Sequence, residues 1–357
     1  MITLDLRHAI GRAVAGAGLS GTPDPGLRPG GAADSGLRPG GEPGQYASSV
    51  AFELAATAGG SPACVAAQIA ERLEDQEPWI KEATVTGRGY VTVTVTPEAL
   101  EHVADRITAA GPDCVRSDAL AGQTYPKPTR RGDPLEAATW EEAWRQLAAE
   151  LTARLAEAAG GTEAASATEA AKAAIGHDGR VRGNGRDGTI RSGGKGPAPA
   201  AAVAFAGRDA VRLSLARIMP GQPVDIEPEK AAHHHLGNPA YAVRYAHARA
   251  ASGVRWAATT TNGEAGPQRP SADPGDLALF DALSWLPERV ATAARRGRPD
   301  EFARYLERVA DVTLAALTRP RTRGQPPGSD RLVLARAART GLAAGLELLG
   351  VTAPDRL

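Results

Sequence analysis

The stretch RLVLARAARTGLAAGLELLGVTAPDRL, from Arg331 to Leu357, is the most informative part of the chain. Its apolar residues recur at mixed spacings of three and four, which predicts a helix with one buried stripe. That stripe comprises Leu332, Ala335, Leu342, Leu346 and Leu349. Gly350 favours a left-handed stop and Pro354 prevents continuation, so we expect the helix to end at Leu349.

Other helical patterns precede this terminal helix. We predict helices over Asp281–Arg296 and Pro299–Thr318, with breaks that contain Pro or Gly. Successive helices with short breaks are typical of a helical bundle. Residues 205–357 are therefore expected to form an all-α domain.

The N-terminal region, residues 1–110, mixes helical and strand patterns. Helices are expected over residues 1–20, over 46–59 and over 61–74, where Pro62 suits a first helical position. TVTGRGYVTVTVT, from Thr84 to Thr96, alternates β-branched residues around a Gly-containing turn and predicts paired strands. We therefore expect an α+β domain with helices on a small antiparallel sheet.

Two segments have little capacity to pack. Residues 22–43 are rich in Gly and Pro and contain GLRPGG twice, which predicts a mobile insertion. Residues 111–204 suggest one helix near 134–159, and are otherwise too poor in apolar residues to offset the entropy of ordering. This second segment is expected to be a largely disordered, flexible linker between the two domains.

Composition bounds the class of protein. The chain has 357 residues, of which 42% are hydrophobic and 23% charged, which suits two globular domains. The sequence shows no apolar run of about 18 residues and no signal-peptide pattern at the N-terminus, so a membrane partner is not expected. Cys64 and Cys114 are too few for a disulfide framework, and we predict a cytoplasmic protein.

Charge is unevenly distributed along the chain. Residues 1–110 hold 8 basic and 13 acidic residues, whereas residues 201–357 hold 21 basic and 16 acidic residues. The positive excess therefore lies in the C-terminal half, where a polyanion would bind. A solvated helical surface explains an excess of this size almost as well.

Several apparent motifs do not predict sites. Gly183–Gly188 matches a dinucleotide fingerprint but lacks the strand before it and the helix after it. Three consecutive histidines, His233–His235, would point in different directions on a surface helix and cannot complete a metal site. No glycine-flanked serine suggests a nucleophile. We expect no metal, no cofactor and no catalytic residue.

The most informative local feature is the segment from Asn238 to Arg249. Asn238 with Pro239 is expected to open a helix whose Tyr241 and Tyr245 share one face. A flat ring can stack on an unpaired base, and a neighbouring cation can contact the phosphate of that nucleotide. Candidate RNA-binding residues are Asn238, Tyr241, Arg244, Tyr245, His247 and Arg249. On spacing alone, partly buried core tyrosines are the alternative interpretation.

The same segment, NPAYAVRYAHAR at 238–249, resembles a characteristic helix of class I arginyl-tRNA synthetases. Residues 207–231, 302–317 and 331–357 are similar to neighbouring parts of that family's DALR anticodon-binding domain. The resemblance implies an anticodon-binding helical bundle and favours the RNA-facing interpretation of the two tyrosines.

The N-terminal region resembles the family's additional domain, with GQYASSVAFELA at 44–55 and GRGYVTVTV at 87–95. The resemblance implies tRNA contacts by Gln45, Tyr46 and Tyr90. Departures occur at Gln45, where the family has Asp, at Ser49, where it has Asn, and at Thr92, where Asn is frequent.

The family's catalytic domain should lie between these two ends, yet neither its HIGH-type nor its KMSKS-type sequence occurs there. We therefore predict a non-catalytic paralogue that binds tRNA, an arginine isoacceptor by resemblance, and presents it to a tRNA-modifying or tRNA-using enzyme. The alternatives are a protein–protein adaptor built on a DALR fold and a genuine arginine–tRNA ligase.

Overall fold

The computed structural model describes residues 1–19, 36–58, 60–127, 132–164, 198–224, 226–260, 273–319 and 329–357. The helices are α1 (Ile2–Gly16), α2 (Val50–Ala58), α3 (Pro62–Gln76), α4 (Pro97–Ala110), α5 (Trp140–Ala158), α6 (Pro199–Ala206), α7 (Arg208–Ala216), α8 (Pro228–Ala232), α9 (Pro239–Thr260), α10 (Pro274–Ser284), α11 (Leu286–Arg296), α12 (Pro299–Thr318) and α13 (Ser329–Leu348). The strands are β1 (Arg38–Pro39), β2 (Gln45–Ser48), β3 (Ile80–Thr86), β4 (Tyr90–Val95), β5 (Thr124–Tyr125) and β6 (Thr162–Glu163).

A four-stranded antiparallel sheet organises the N-terminal region, in the order β1-β2-β4-β3. In β4 the three valines are buried, while Tyr90 and the threonines are half-buried. Successive side chains of a strand point to opposite faces, so this alternation gives the sheet one core face. Helix α3 packs against β3 and β4. The expected α+β architecture of this region is confirmed.

Two details of the N-terminal prediction were wrong. Residues 46–48, predicted to start a helix, belong instead to strand β2, which pairs with β4. The helix begins at Val50, whose N–H the Ser48 hydroxyl accepts over 3.3 Å. The predicted insertion at 22–43 includes β1, in which Pro39 pairs with Tyr46. Residues 20–35 lie outside the described part of the chain.

The C-terminal region is helical, as expected. Helix α12 has the predicted bounds, but the predicted helix over Asp281–Arg296 is divided at Trp285 into α10 and α11. In α13, Leu334 is buried and the predicted Leu332 is only half-buried. Gly350 has φ +66°, the left-handed conformation expected of a helix stop.

The described part of residues 111–204 is folded, which corrects the expectation of a largely disordered linker. Helix α5 buries Leu147, Leu151 and Leu155 at four-residue spacing, so one whole face needs a partner. It packs against α7 and α11. Strands β5 and β6, which flank α5 in sequence, pair in parallel. Residues 165–197 lie outside the described residues.

The N-terminal region packs directly on the C-terminal helices. The Tyr46 ring stacks on Trp285 with centroids 5.3 Å apart. Its hydroxyl lies 3.0 Å from Ser284 Oγ. Arg7 of α1 forms a buried ion pair with Glu288 of α11. One hydrophobic core therefore includes residues of both regions.

Close packing of α13 on α12 gives a first prediction. A Cβ at Gly345 would lie 2.4 Å from Leu306 Cδ2. We expect Gly345→Ala to lower the free energy of unfolding by about 1–3 kcal/mol, through overpacking. Chemical denaturation of the variant measures this loss.

The matched control is Gly11→Ala in helix α1, where a Cβ meets no heavy atom within 4 Å. Because alanine favours helix over glycine by roughly 0.5–1 kcal/mol, this control should be neutral or stabilising. An equal effect of the two substitutions would contradict the described contact.

Candidate nucleic-acid interface

The entry to helix α9 is fixed by Asn238. Its side-chain Nδ2 donates to Ala231 O over 2.9 Å and to His233 O over 2.8 Å. Its Oδ1 accepts the N–H of Ala240 over 3.1 Å, which satisfies a free donor in the first turn of the helix. Asn238 therefore sets the path of the chain into α9.

A row of stacked rings lies at the start of α9. Tyr241 and Tyr245 are one turn apart, with centroids 5.5 Å apart and planes inclined by 18°. His234 stacks on Tyr241 from the preceding loop, at 5.3 Å and 15°. Both tyrosines are half-buried, and His234 is exposed. We call His234, Tyr241 and Tyr245 the ring ladder.

His234 was missed by the sequence analysis as a member of this site. The histidine run was expected on a surface helix, whereas His233–His235 lie in the loop after α8. Helical periodicity could not place a loop residue beside Tyr241. The bonds of Asn238 to Ala231 and His233 hold this loop against the start of α9.

The two predicted arginines have different surroundings. Arg244 is half-buried, and its Nη2 lies 3.5 Å from Asp209 Oδ2. Asp209 also accepts the N–H of Thr352 over 3.3 Å, so Arg244 faces the C-terminal tail. Arg249 is exposed. The structure therefore leaves Arg249 more accessible to a phosphate than Arg244.

His247 is buried, with 2% of its surface exposed, and its Nδ1 lies 2.9 Å from Pro354 O. Nearby, Arg339 pairs with Asp355 at 3.1 Å. These contacts attach the C-terminal tail to α9 and α13. The placement argues against the predicted role of His247 as an RNA ligand, because its ring is covered by the protein's own tail.

The buried imidazole gives a pH prediction. Burial lowers the pKa of His247 from its ordinary value of 6.5, although Pro354 O and Asp355 oppose the shift. The unfolded chain then binds the proton more readily than the folded protein does. The free energy of unfolding therefore rises with pH between the lowered pKa and the ordinary value. The loss of stability that comes from keeping His247 neutral in the folded protein is absent above about pH 6.5. It grows as the pH falls towards the lowered pKa.

We expect the free energy of unfolding of the wild type to fall relative to that of His247→Gln as the pH drops from about 7.5 to about 5. Denaturation curves of both proteins across this range measure the difference. A difference that stays constant over the range would contradict burial of the imidazole.

A polar cleft of ≈ 590 Å³ lies beside the ring ladder. Its basic lining residues are Arg217, Lys230, His233, His235 and Arg304. Carboxylates balance part of this charge, since Arg217 pairs with Glu307 and Lys230 with Glu227. The loop that carries His234 thus also forms one wall of a cleft with several cationic donors.

The three N-terminal candidates do not form a comparable surface. Tyr46 is fully buried against Trp285, which is inconsistent with its predicted contact to tRNA. Tyr90 is half-buried, and its ring meets Phe52 edge-on at 4.9 Å. Gln45 is half-buried on β2. Sequence similarity located these residues but could not reveal that the C-terminal helices cover Tyr46.

The described residues offer neither a metal site nor a membrane-spanning helix. That part of the chain contains no group of three or more His, Cys, Asp or Glu residues able to hold a metal ion. Its helices also include none with the length and hydropathy needed to cross a membrane. The fingerprint-like segment Gly183–Gly188 lies outside the described residues.

Two known domain families match parts of the chain. The family described as "DALR anticodon binding domain" matches residues 243–357, which include most of α9. The family described as "Arginyl tRNA synthetase N terminal domain" matches residues 32–95. The chain therefore resembles arginyl-tRNA synthetases in both its N-terminal and its C-terminal region.

The curated relatives match only part of the chain. Arginine–tRNA ligase of Paenarthrobacter aurescens is 38% identical over 167 residues, which cover 43% of this chain and 30% of that protein. The ligase of Bifidobacterium longum is 37% identical over 189 residues, covering 43% and 29%. The chain thus spans about 30% of the length of the curated relatives it matches.

A solved structure, Thermus thermophilus arginyl-tRNA synthetase, superposes with a TM-score of 0.58 and 16% identity, covering 100% of both chains. At this identity the likeness concerns the fold alone.

Proposed function

We propose that this protein binds tRNA through helix α9, with the ring ladder stacking on unpaired bases. The stacked arrangement of His234, Tyr241 and Tyr245 is the observation that carries the proposal. Rings that already lie nearly parallel present a flat face at the end of the row, and an unpaired base can continue such a stack. Half-burial holds the two tyrosines in place while part of each remains accessible.

Electrostatics favour the same helix. Arg249 is exposed one turn beyond Tyr245, where a guanidinium can contact a phosphate. The adjoining cleft adds cationic donors, and residues 201–357 hold five more basic than acidic residues. Backbone contacts of this kind supply affinity without sequence preference, whereas the stacked bases select unpaired RNA.

The domain similarities support the proposed class of RNA. A DALR match over residues 243–357 supports the anticodon stem-loop as the ligand, and the matched relatives are named arginine–tRNA ligases. An arginine isoacceptor is therefore the proposed partner. Because the HIGH-type and KMSKS-type sequences do not occur in this sequence, we further propose a non-catalytic protein that presents tRNA to a modifying or tRNA-using enzyme.

Loss of one ring tests the proposal. We expect Tyr245→Ala to weaken binding of an arginine-tRNA anticodon stem-loop by about 1–3 kcal/mol, the range for one base stack. Filter binding at fixed salt measures the dissociation constant. Tyr245→Phe keeps the ring and is the matched control, so its affinity should stay close to that of the wild type.

Unchanged affinity of Tyr245→Ala would reject stacking at this position. Binding that does not weaken as salt concentration rises would contradict a phosphate-dominated interface. Failure of the wild type to bind any tRNA, together with recovery of a protein partner, would instead favour the adaptor alternative.

A further inference from the structure

One large aromatic residue on α9 has no role in the interface described so far. Trp256 has 61% of its surface exposed, near the end of the helix. By contrast, Trp140 and Trp285 are buried, and Trp79 and Trp144 are half-buried. Trp256 is thus the most exposed tryptophan of the chain.

Helical spacing places Trp256 in line with the ring ladder. The residues Tyr241, Tyr245, Arg249, Ser252 and Trp256 are separated by four, four, three and four positions. Positions three and four apart lie on the same face of a helix. All five are half-buried or exposed, whereas Ala246 and Ala250 on the inward face are fully buried. We call these five residues the α9 stripe.

The stripe is longer than the ladder alone. Tyr241 and Trp256 are fifteen positions apart in the helix. At a rise of about 1.5 Å per residue, they are separated by roughly 22 Å along the helix axis. Stacked bases rise by about 3.4 Å each, so this length corresponds to about six nucleotides. A single RNA loop that begins at the ladder can therefore reach Trp256.

The charges along the stripe suit an RNA strand. Arg249 lies between the tyrosines and Trp256 and is exposed. Arg255, also exposed, donates from Nη1 to Asp355 O over 3.0 Å, which keeps a guanidinium beside the tryptophan. Alternation of rings and cations along one groove or face is the arrangement by which proteins follow single-stranded nucleic acid.

We propose that Trp256 is a second base-stacking residue, which takes an unpaired base of the same RNA beyond those held by the ring ladder. The inference rests on the proposed RNA-binding function and extends it from a local contact to a strand that follows the α9 stripe. The ligand class is an RNA loop with several consecutive unpaired nucleotides.

Tryptophan fluorescence separates this inference from the proposed function. An arginine-tRNA anticodon stem-loop, titrated into the wild type, should quench the emission of Trp256 as a base stacks on the indole. Trp256→Phe should abolish most of this quench while keeping a ring. Trp79→Phe, in the N-terminal region, is the matched control and should leave the quench unchanged.

Affinity measurements complete the test. Trp256→Ala and Tyr245→Ala should each raise Kd by roughly 5- to 150-fold, the range of one base stack. If Tyr245→Ala weakens binding while Trp256→Ala does not and the quench persists in Trp256→Phe, the inference is overturned and the proposed function stands. If neither alanine variant changes the affinity, both are overturned. Thermal denaturation of each variant confirms that it is folded.

Discussion

Replacement of Arg7 by alanine is expected to lower the free energy of unfolding by about 3–5 kcal/mol, because it removes the guanidinium that pairs with a buried carboxylate. Arg7 and Glu288 are 7% and 3% exposed, and they join α1 to α11. Desolvated charges are tolerated only as a pair, so removal of one is far more costly than removal of both. Chemical denaturation of the full chain measures the loss.

Arg12→Ala is the matched control on the same helix. Arg12 pairs with Glu77, but its side chain is 59% exposed, so the pair should contribute less than about 1 kcal/mol. A further variant, Arg7→Met with Glu288→Met, should recover much of the lost stability, since apolar replacements of buried pairs are often neutral. Equal losses in Arg7→Ala and Arg12→Ala would refute the buried contact between the two regions.

Tyr46→Ala should lower the free energy of unfolding by a similar amount, about 3–5 kcal/mol, as expected for removing a large buried ring. The ring lies between the N-terminal sheet and Trp285. The Tyr46 hydroxyl is hydrogen-bonded to Ser284 Oγ, and the Ser284 hydroxyl lies 2.8 Å from Asp281 O. Burial raises the pKa of Tyr46 well above its ordinary value, so the hydroxyl stays protonated and able to donate.

Tyr46→Phe separates the ring from the hydroxyl. It removes one hydrogen bond and should cost only about 0.5–1.5 kcal/mol. The folded Tyr46→Phe protein should also bind the anticodon stem-loop with unchanged affinity, because the ring is buried against Trp285. Weaker RNA binding by this variant, at unchanged stability, would instead support the tRNA contact implied by sequence resemblance.

The parts of the fold that the sequence predicts best have strong local signals. The alternating valines of β4 place one face of the sheet in the core. Asn238 and Pro239 mark the start of α9, and Gly350 marks the stop after α13. In each case a few neighbouring residues determine the local conformation, so no knowledge of distant contacts is needed.

Long-range contacts account for what the sequence does not reveal. Tyr46 is buried by Trp285, and Leu151 of α5 by helices far away in the chain. His234 joins the ring ladder from a loop, where no periodicity applies. The tail of the chain covers His247. Each of these depends on which surfaces meet after folding, which spacing along one element cannot specify.

We propose that helix α9 binds the unpaired nucleotides of a tRNA anticodon loop, and the RNA-binding predictions above depend on this contact. Nuclease footprinting of arginine tRNA, with the wild type and with Tyr245→Ala, tests it most directly. We expect protection of consecutive anticodon-loop nucleotides by the wild type, and loss of that protection in the variant at the same protein concentration. A tRNA left unprotected by the wild type, or loop protection that is identical with the variant, would contradict it.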